Sequence, residues 1–177
     1  MARGLRDYLY DVRTCLAHGD ADTWFVDTNV LVYANIAQAP LHTVALTRLQ
    51  QLARSGATLW ISRQILREYL AVVTRPQGLS APQPLARAVA RVHYFQRRFR
   101  VADETTEVTT RLLALLQTIP ARGAQMHDAN IVATMQVHGI QQLLTENEDD
   151  FAHFASVITV VPLGPLSGPT PTATVHP

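Results

Sequence analysis

Three acidic residues in this 177-residue chain stand where carboxylates can do chemistry. Asp27 directly follows a short apolar run, Glu68 is the only acid in a stretch of 75 residues, and Asp128 is similarly isolated. A fourth acid is expected in the group that ends at Asp150, which also follows an apolar stretch. Carboxylates gathered at one place repel each other at low effective dielectric, so such a cluster requires protons or cations.

Mg²⁺ or Mn²⁺ is the cation that best suits such a site, because hard divalent ions take oxygen ligands. These ions keep several waters and use one or two carboxylates directly, with other acids acting through water. A bound ion lowers the pKa of a water and shields charge on a phosphodiester, which makes hydrolysis possible without a histidine base. The acids therefore predict metal-assisted hydrolysis of a nucleic acid.

The elements that must position these acids alternate between strand and helix. Thr23 to Val26 and Thr58 to Ile61 are short apolar runs typical of buried strands, and a helix from Arg63, capped by Ser62, follows the second. The alternation continues to a final strand at Val157 to Val161. We predict an α/β fold of three layers, with a mostly parallel central sheet flanked by helices. Such sheets place ligand sites at the carboxyl ends of their strands.

Each acid also has a structural interpretation. Asp27 and Asp128 are both placed where an aspartate caps a helix N-terminus. Glu68 lies on an apolar helix face, where Arg63 or Arg67 is within reach for a salt bridge. Metal ligation is favoured because three or four such acids are expected to converge at one edge of the predicted sheet.

Basic charge is concentrated between residues 28 and 102. The segment holds ten arginines and one acid, a formal charge of +9, in a chain whose net charge is +1. All fifteen basic residues are arginine, which suits bidentate phosphate contact. The clustering predicts an anionic partner, although a solvated basic face remains an alternative. The candidate RNA-binding residues lie on or just after one helix: Arg87, Arg91, Arg97, Arg98 and Arg100.

The chain divides into a nuclease-sized domain with an addition at each end. Residues 1–22 are expected to form an amphipathic helical extension, residues 23–163 the domain, and residues 164–177 a disordered Pro-rich tail. No apolar run reaches the length of a membrane span, and the N-terminus is unlike a signal peptide. We expect a cytoplasmic protein. Cys15 is the only cysteine, so no internal disulfide is expected.

Four short motifs in order resemble the PIN-domain ribonucleases. They are Asp27-Thr28-Asn29 after a strand, the lone Glu68, His127-Asp128-Ala129 opening a late helix, and Thr145-x-Asn147-x-x-Asp150-Phe151. The resemblance extends from Trp24 to Leu163 and points to VapC-like toxins of type II toxin–antitoxin modules. It implies a Mg²⁺- or Mn²⁺-dependent endoribonuclease acting on structured RNA, with tRNA or rRNA as the expected class. It also implies a homodimer and a small cognate antitoxin.

The resemblance assigns roles position by position. Asp27, Glu68 and Asp128 match the first three acids of the family, and each is expected to be both catalytic and a metal ligand. Asp150 is expected to be the fourth, with Asp149 as the alternative. The residues expected to support this network are Asn29, Thr145, Asn147 and Asp149.

Three other functions compete with this interpretation. Haloacid-dehalogenase-like phosphatases also begin with an aspartate after a strand, but they need a second aspartate where this chain has Asn29 and a later lysine, which it lacks. A PIN-domain nuclease of RNA processing would share every motif. A catalytically silent RNA- or protein-binding module would retain the fold without needing the acids.

Overall fold

The computed structural model describes residues 22–76 and 81–164. The predicted N-terminal helix and all but the first residue of the predicted disordered tail lie outside these ranges, so both stay predictions. The described part contains five strands and seven α-helices, with one or two α-helices between successive strands. In chain order these elements are β1 Thr23–Val26, α1 Thr28–Asn35, α2 His42–Arg54, β2 Thr58–Ser62, α3 Arg63–Val73, α4 Leu85–Arg98, β3 Arg100–Ala102, α5 Thr106–Thr118, α6 Gln125–Val137, β4 Gln142–Thr145, α7 Glu148–Phe151 and β5 Thr159–Pro162.

The five strands form one sheet in the order β3-β2-β1-β4-β5, and every pairing in it is parallel. The first strand in sequence is therefore the central one. It pairs with β2 on one side, where Phe25 is opposite Trp60, and with β4 on the other, where Phe25 is opposite Leu143. Parallel strands share a carboxyl edge, so the residues that follow β1, β2 and β4 converge there.

Helices cover both faces of this sheet. Trp24 and Phe25 are consecutive in β1 and point to opposite faces. The Arg48 guanidinium of α2 lies 5.5 Å from the Trp24 ring centre. Trp60, which is in register with Phe25 and so faces the other side, packs against His138 just after α6 at 5.3 Å. The predicted three-layer α/β architecture is confirmed, and the sheet is wholly parallel.

Most of the predicted elements are present, with small shifts at their ends. Ser62 caps α3 as predicted, since its hydroxyl accepts a hydrogen bond from the Ile65 N–H at 3.2 Å. Helix α1 was not predicted. Its apolar residues occur on every side rather than in one stripe, and five of its eight residues are buried, so the pattern carries no helical period.

Helix α6 begins at Gln125, two residues earlier than predicted. Gly139 ends it with a φ of +67°, a conformation that favours glycine. No helix in the described ranges is long and apolar enough to cross a membrane.

Candidate active site

Asp27 stands at the carboxyl end of the central strand and is almost fully buried, with 7% of its surface exposed. It precedes α1, and its Oδ1 accepts a 2.6 Å hydrogen bond from the Thr28 N–H. The structural interpretation of Asp27 as a helix cap is therefore correct as far as it goes. Its other oxygen, Oδ2, does not take part in the cap.

Oδ2 of Asp27 joins the ends of two neighbouring strands. It accepts hydrogen bonds from the Thr145 hydroxyl at 2.7 Å and from the Asn29 side-chain amide, also at 2.7 Å. The same Asn29 amide donates to Thr145 Oγ1 at 3.1 Å, and Asn29 Oδ1 accepts from the Glu146 N–H at 3.2 Å. Asn29 and Thr145, both predicted as supporting residues, thus lie against Asp27.

Glu68 projects from α3 toward the start of α1. Its Oε2 accepts a 2.6 Å hydrogen bond from the Thr28 hydroxyl, and its Oε1 accepts one of 2.7 Å from the side-chain amide of Gln64. Thr28 therefore links two acids, since its N–H binds Asp27 and its hydroxyl binds Glu68. The helix face shared with Ile65 places Glu68 inward, as the sequence predicted.

The two arginines proposed as salt-bridge partners of Glu68 bind elsewhere. Arg63 pairs with Asp103 at 2.6 Å, and Arg67 pairs with Glu104 at 2.8 Å. The salt-bridge interpretation of Glu68 is therefore wrong. Both pairs are exposed and contribute little stability individually.

Asp128 lies in the first turn of α6, directed to the site by the buried stripe of Ile131, Val132 and Met135. Because α6 begins at Gln125 and is flanked by Ala124, Asp128 does not cap the helix. The capping interpretation of Asp128 is wrong.

Burial and mutual repulsion change the pKa of two of these acids. Burial raises the pKa of Asp27 to about 6, against the opposing effect of its hydrogen bonds from Thr145 and Thr28, and the charges of Glu68 and Asp128 raise it further. Burial also raises the pKa of Asp128 to about 6, with added repulsion from Asp150 and then Glu68. Perturbed acids of this kind are concentrated at functional sites.

These interactions define the acidic cluster, which consists of Asp27, Glu68, Asp128 and Asp150. Its members come from four elements, namely the end of β1, α3, α6 and α7. Asp150 is exposed, and its charge acts on Asp128. The elements that carry the cluster bring it to the carboxyl edge of the sheet.

The donor set of the acidic cluster suits a hard divalent cation, since it consists of carboxylates, and repulsion between them adds to burial in raising the pKa of Asp27 and Asp128. Within the described ranges, no three carboxylate, imidazole or thiolate side chains are grouped closely enough to contact one ion together. An ion here would be held by one or two carboxylates directly and by the others through water, as is usual for Mg²⁺.

The other polar residues of the fourth motif, Asn147 and Asp149, make fewer contacts with the site. Asn147 contributes its backbone, whose N–H donates to Thr145 Oγ1 at 3.1 Å, while its side chain is exposed. Asp149 is exposed in α7. Of the two alternatives for the fourth acid, Asp150 is the one whose charge reaches Asp128.

The candidate RNA-binding arginines lie in several different surroundings. Arg87 and Arg91 line a cavity of about 240 Å³ between α3 and α4. Arg98 and Arg91 flank the Tyr94 ring at 5.8 and 5.3 Å, and Arg100 lies 5.6 Å from the Trp60 ring. Arg97 is exposed near the end of α4.

The sequence analysis assigned no role to three uncharged residues at the site: Thr28, Gln64 and Asn130. Gln64 is buried, and its side chain contacts Glu68 and α6. Its position one helical turn before Glu68, on the same face, was the available signal. Thr28 and Asn130 lie within two positions of Asp27 and Asp128 in the sequence. Both are residue types that commonly cap helices, so the pattern of polar and apolar residues alone did not identify them as part of the site.

The family profile of the PIN domain matches residues 24–157, which is most of the chain. The chain belongs to the PIN-domain family. The resemblance predicted from the four motifs is confirmed, and the acidic cluster lies within the matched range.

This PIN domain is 28% identical over 125 residues to Ribonuclease VapC48 of Mycobacterium tuberculosis, a match that covers 70% of this chain and 86% of the relative. Among solved structures, it resembles VapC20 of the same species, a sarcin-ricin loop cleaving toxin, with a TM-score of 0.58, 22% identity and coverage of 78% and 99%. A toxin–antitoxin complex from Klebsiella pneumoniae is similar at a TM-score of 0.55, with 21% identity and coverage of 79% and 97%.

Proposed function

We propose that this PIN domain is an endoribonuclease that hydrolyses RNA phosphodiester bonds with Mg²⁺ or Mn²⁺ held by the acidic cluster. The observation that carries the proposal is the convergence of Asp27, Glu68, Asp128 and Asp150 from four separate elements. Burying like charges together is unfavourable unless a cation compensates them. The similarity to Ribonuclease VapC48 supports RNA as the substrate.

The hydrogen bonds around Asp27 indicate which of its oxygens is available. Oδ2 receives two side-chain hydrogen bonds, from Asn29 and Thr145, whereas Oδ1 receives one from the Thr28 N–H. A carboxylate has about four acceptor positions in all. Three donors therefore fix the Asp27 carboxylate, and Oδ1, which receives only one of these hydrogen bonds, would keep the greater acceptor capacity for a cation.

The other acids would complete the ion's surroundings. Asp128 and Asp27 are the two with raised pKa values, so they gain most from a cation and are the expected direct ligands, with Glu68 and Asp150 acting directly or through water. When bound, the ion lowers the pKa of a water and shields the charge that develops on the phosphate. The protein's part is to hold the carboxylates in place before substrate arrives.

Basic charge would balance the acids when RNA approaches. Carboxylates repel phosphate, and arginines on the same domain supply the opposing attraction. Arg63 and Arg67 are partly neutralised by Asp103 and Glu104, so the attraction falls to other members of the +9 segment. Arg87, Arg91, Arg97, Arg98 and Arg100 are the proposed contacts.

We further propose that the chain is the toxin of a toxin–antitoxin pair, acting in the cytoplasm as a homodimer on tRNA or rRNA. The relatives support this, since one is named a ribonuclease, one a sarcin-ricin loop cleaving toxin and one a toxin–antitoxin complex. A small cognate antitoxin is the expected partner.

Cleavage of mixed tRNA and rRNA by the purified protein tests the enzymatic proposal. Cleavage with Mn²⁺ or Mg²⁺ is expected, and its loss is expected with EDTA and in Asp27→Asn and Asp128→Asn. The exposed Glu107→Gln on α5 provides a charge-matched control that should retain activity. A folded wild type without antitoxin that cleaves neither RNA with either metal would favour the binding module instead.

A further inference from the structure

Gln64 is a buried polar residue that ties α3 to α6 beside the acidic cluster. It is 5% exposed. Its Nε2 donates hydrogen bonds to Glu68 Oε1 at 2.7 Å and to the His127 carbonyl at 3.0 Å. Its Oε1 accepts a hydrogen bond from the Asn130 side-chain amide at 2.7 Å. Every one of these contacts involves a cluster acid or a residue within two positions of one.

The orientation of the Gln64 carboxamide follows from its neighbours. Both groups on the Nε2 side, a carboxylate and a carbonyl, can only accept hydrogen bonds, and the group on the Oε1 side donates. Turning the amide over would place an oxygen against two acceptors in a buried site, which is strongly unfavourable. The Glu68 carboxylate and the His127 carbonyl therefore fix the direction of the Gln64 amide, and the hydrogen bond from Asn130 holds the other end of that amide in place.

Both oxygens of Glu68 are held in this way from two sides. Thr28 binds Oε2 and Gln64 binds Oε1, so each oxygen receives one hydrogen bond and keeps acceptor capacity toward the cluster. The first contact relates Glu68 to Asp27, and the second relates it to the helix of Asp128. Glu68 is thereby fixed relative to both neighbouring acids.

We propose that Gln64 is a positioning residue of the cation site, which holds the Glu68 carboxylate in a set position relative to Asp128, and that Asn130 holds the Gln64 side chain in place. This inference rests on the proposed metal-dependent function. Outer residues that orient carboxylate ligands contribute about 10- to 100-fold to metal affinity or activity. A merely structural Gln64 would instead contribute to helix packing alone.

Binding of Mn²⁺ to the RNA-free protein, followed by electron paramagnetic resonance, separates these two roles. Gln64→Leu keeps the side-chain size and removes all three hydrogen bonds, so we expect the Kd for Mn²⁺ to rise by about 10- to 100-fold. Asn130→Ala removes one of the three hydrogen bonds that hold Gln64 but leaves its hydrogen bond to Glu68, so a smaller rise is expected. The half-buried Gln136→Leu on α6 is the matched control and should bind Mn²⁺ as wild type does.

The double variant tests whether the two residues act through one network. Because Asn130 acts through Gln64, Gln64→Leu/Asn130→Ala should bind Mn²⁺ no more weakly than Gln64→Leu alone. Melting curves in EDTA report folding separately, and Asn130→Ala carries the test if Gln64→Leu fails to fold. In RNA cleavage, kcat should fall in both single variants while KM stays unchanged.

Wild-type Mn²⁺ affinity in both folded single variants would overturn the inference and leave the proposed function intact. A lowered melting temperature with unchanged Kd and kcat would overturn it equally, because that is the signature of packing alone. A wild type that neither binds Mn²⁺ nor cleaves RNA with it would overturn the proposed function, and this inference with it.

Discussion

The Thr145 hydroxyl donates a 2.7 Å hydrogen bond to Oδ2 of Asp27, and the two residues are 118 positions apart in the chain. Both are buried at the ends of adjacent strands. The bond stabilises the ionised form of Asp27 and so lowers the pKa that burial raises. One hydroxyl therefore partly offsets the desolvation of the central acid.

Replacing Thr145 by valine should remove this compensation while preserving shape. We expect Thr145→Val to lower the free energy of unfolding at pH 8 by about 1–3 kcal/mol, since a buried carboxylate loses a donor. RNA cleavage should fall as well, because Asp27 becomes harder to ionise. Urea unfolding and cleavage assays measure the two effects.

The exposed Thr110→Val on α5 is the control for this change. The Thr110 hydroxyl donates its hydrogen bond to the Thr106 carbonyl one turn earlier on the exposed side of the helix. The free energy of unfolding of Thr110→Val should therefore stay within about 0.5 kcal/mol of wild type. Equal behaviour of the two valine variants would show that the bond from Thr145 has no energetic role.

The raised pKa values predict an unusual pH dependence in metal-free protein. Asp27 and Asp128 titrate near pH 6 when folded, against an ordinary value of 3.8, so between about pH 4 and 6 the folded state binds more protons. Their contribution to stability is full below about pH 4 and is lost as the pH rises through 6. Asp128→Asn removes one titrating group. Allowing for solvent screening, we expect its free energy of unfolding to exceed that of wild type by about 1 kcal/mol at pH 7.

Urea unfolding in EDTA from pH 4 to 8 checks this difference. The gain in free energy of unfolding of Asp128→Asn over wild type should be small near pH 4 and grow toward pH 7, whereas Asp149→Asn should show no such trend. An advantage that is constant across the range would contradict the assigned titration. Added Mn²⁺ should stabilise the wild type most at high pH, where both acids are ionised, and should have less effect on Asp128→Asn.

Replacing Asp150 and Asp149 one at a time tests which of them is the fourth acid. Because the charge of Asp150 raises the pKa of Asp128, we expect Asp150→Asn to bring that pKa closer to its ordinary value and to reduce RNA cleavage by about tenfold or more. Asp149→Asn should change neither. Carboxyl NMR titration and cleavage rates measure the two effects, and a larger loss in Asp149→Asn would reverse the assignment.

The arginines of α4 are expected to act on substrate binding rather than on chemistry. The double variant Arg87→Ala/Arg91→Ala should raise KM for RNA and reduce the dependence of affinity on salt by about one unit of slope per lost phosphate contact, with kcat unchanged. Arg111→Ala/Arg122→Ala removes the same charge from exposed positions outside the +9 segment. Equal effects in the two double variants would indicate only general charge attraction.

The acids were predictable from the sequence because charge isolated among apolar residues is a strong signal, and because strand ends are visible as the ends of apolar runs. The first helix was not, since burial on all sides removes the period by which helices are recognised. The partners of Arg63 and Arg67 also required the structure. Asp103 and Glu104 follow β3, and only the β2–β3 pairing brings them to α3. Gln64 was missed for a similar reason, because a neutral amide shows its role only through its partners.

The central position of β1 also bears on when the protein becomes active during its synthesis. Asp27 is among the first residues of the domain to leave the ribosome, but its partner Thr145 ends β4 and comes more than a hundred residues later. Contacts of such long sequence separation form late in folding. A nascent or truncated chain that lacks β4 therefore has an incomplete site, and we expect it to be harmless to the RNA of the ribosome that makes it.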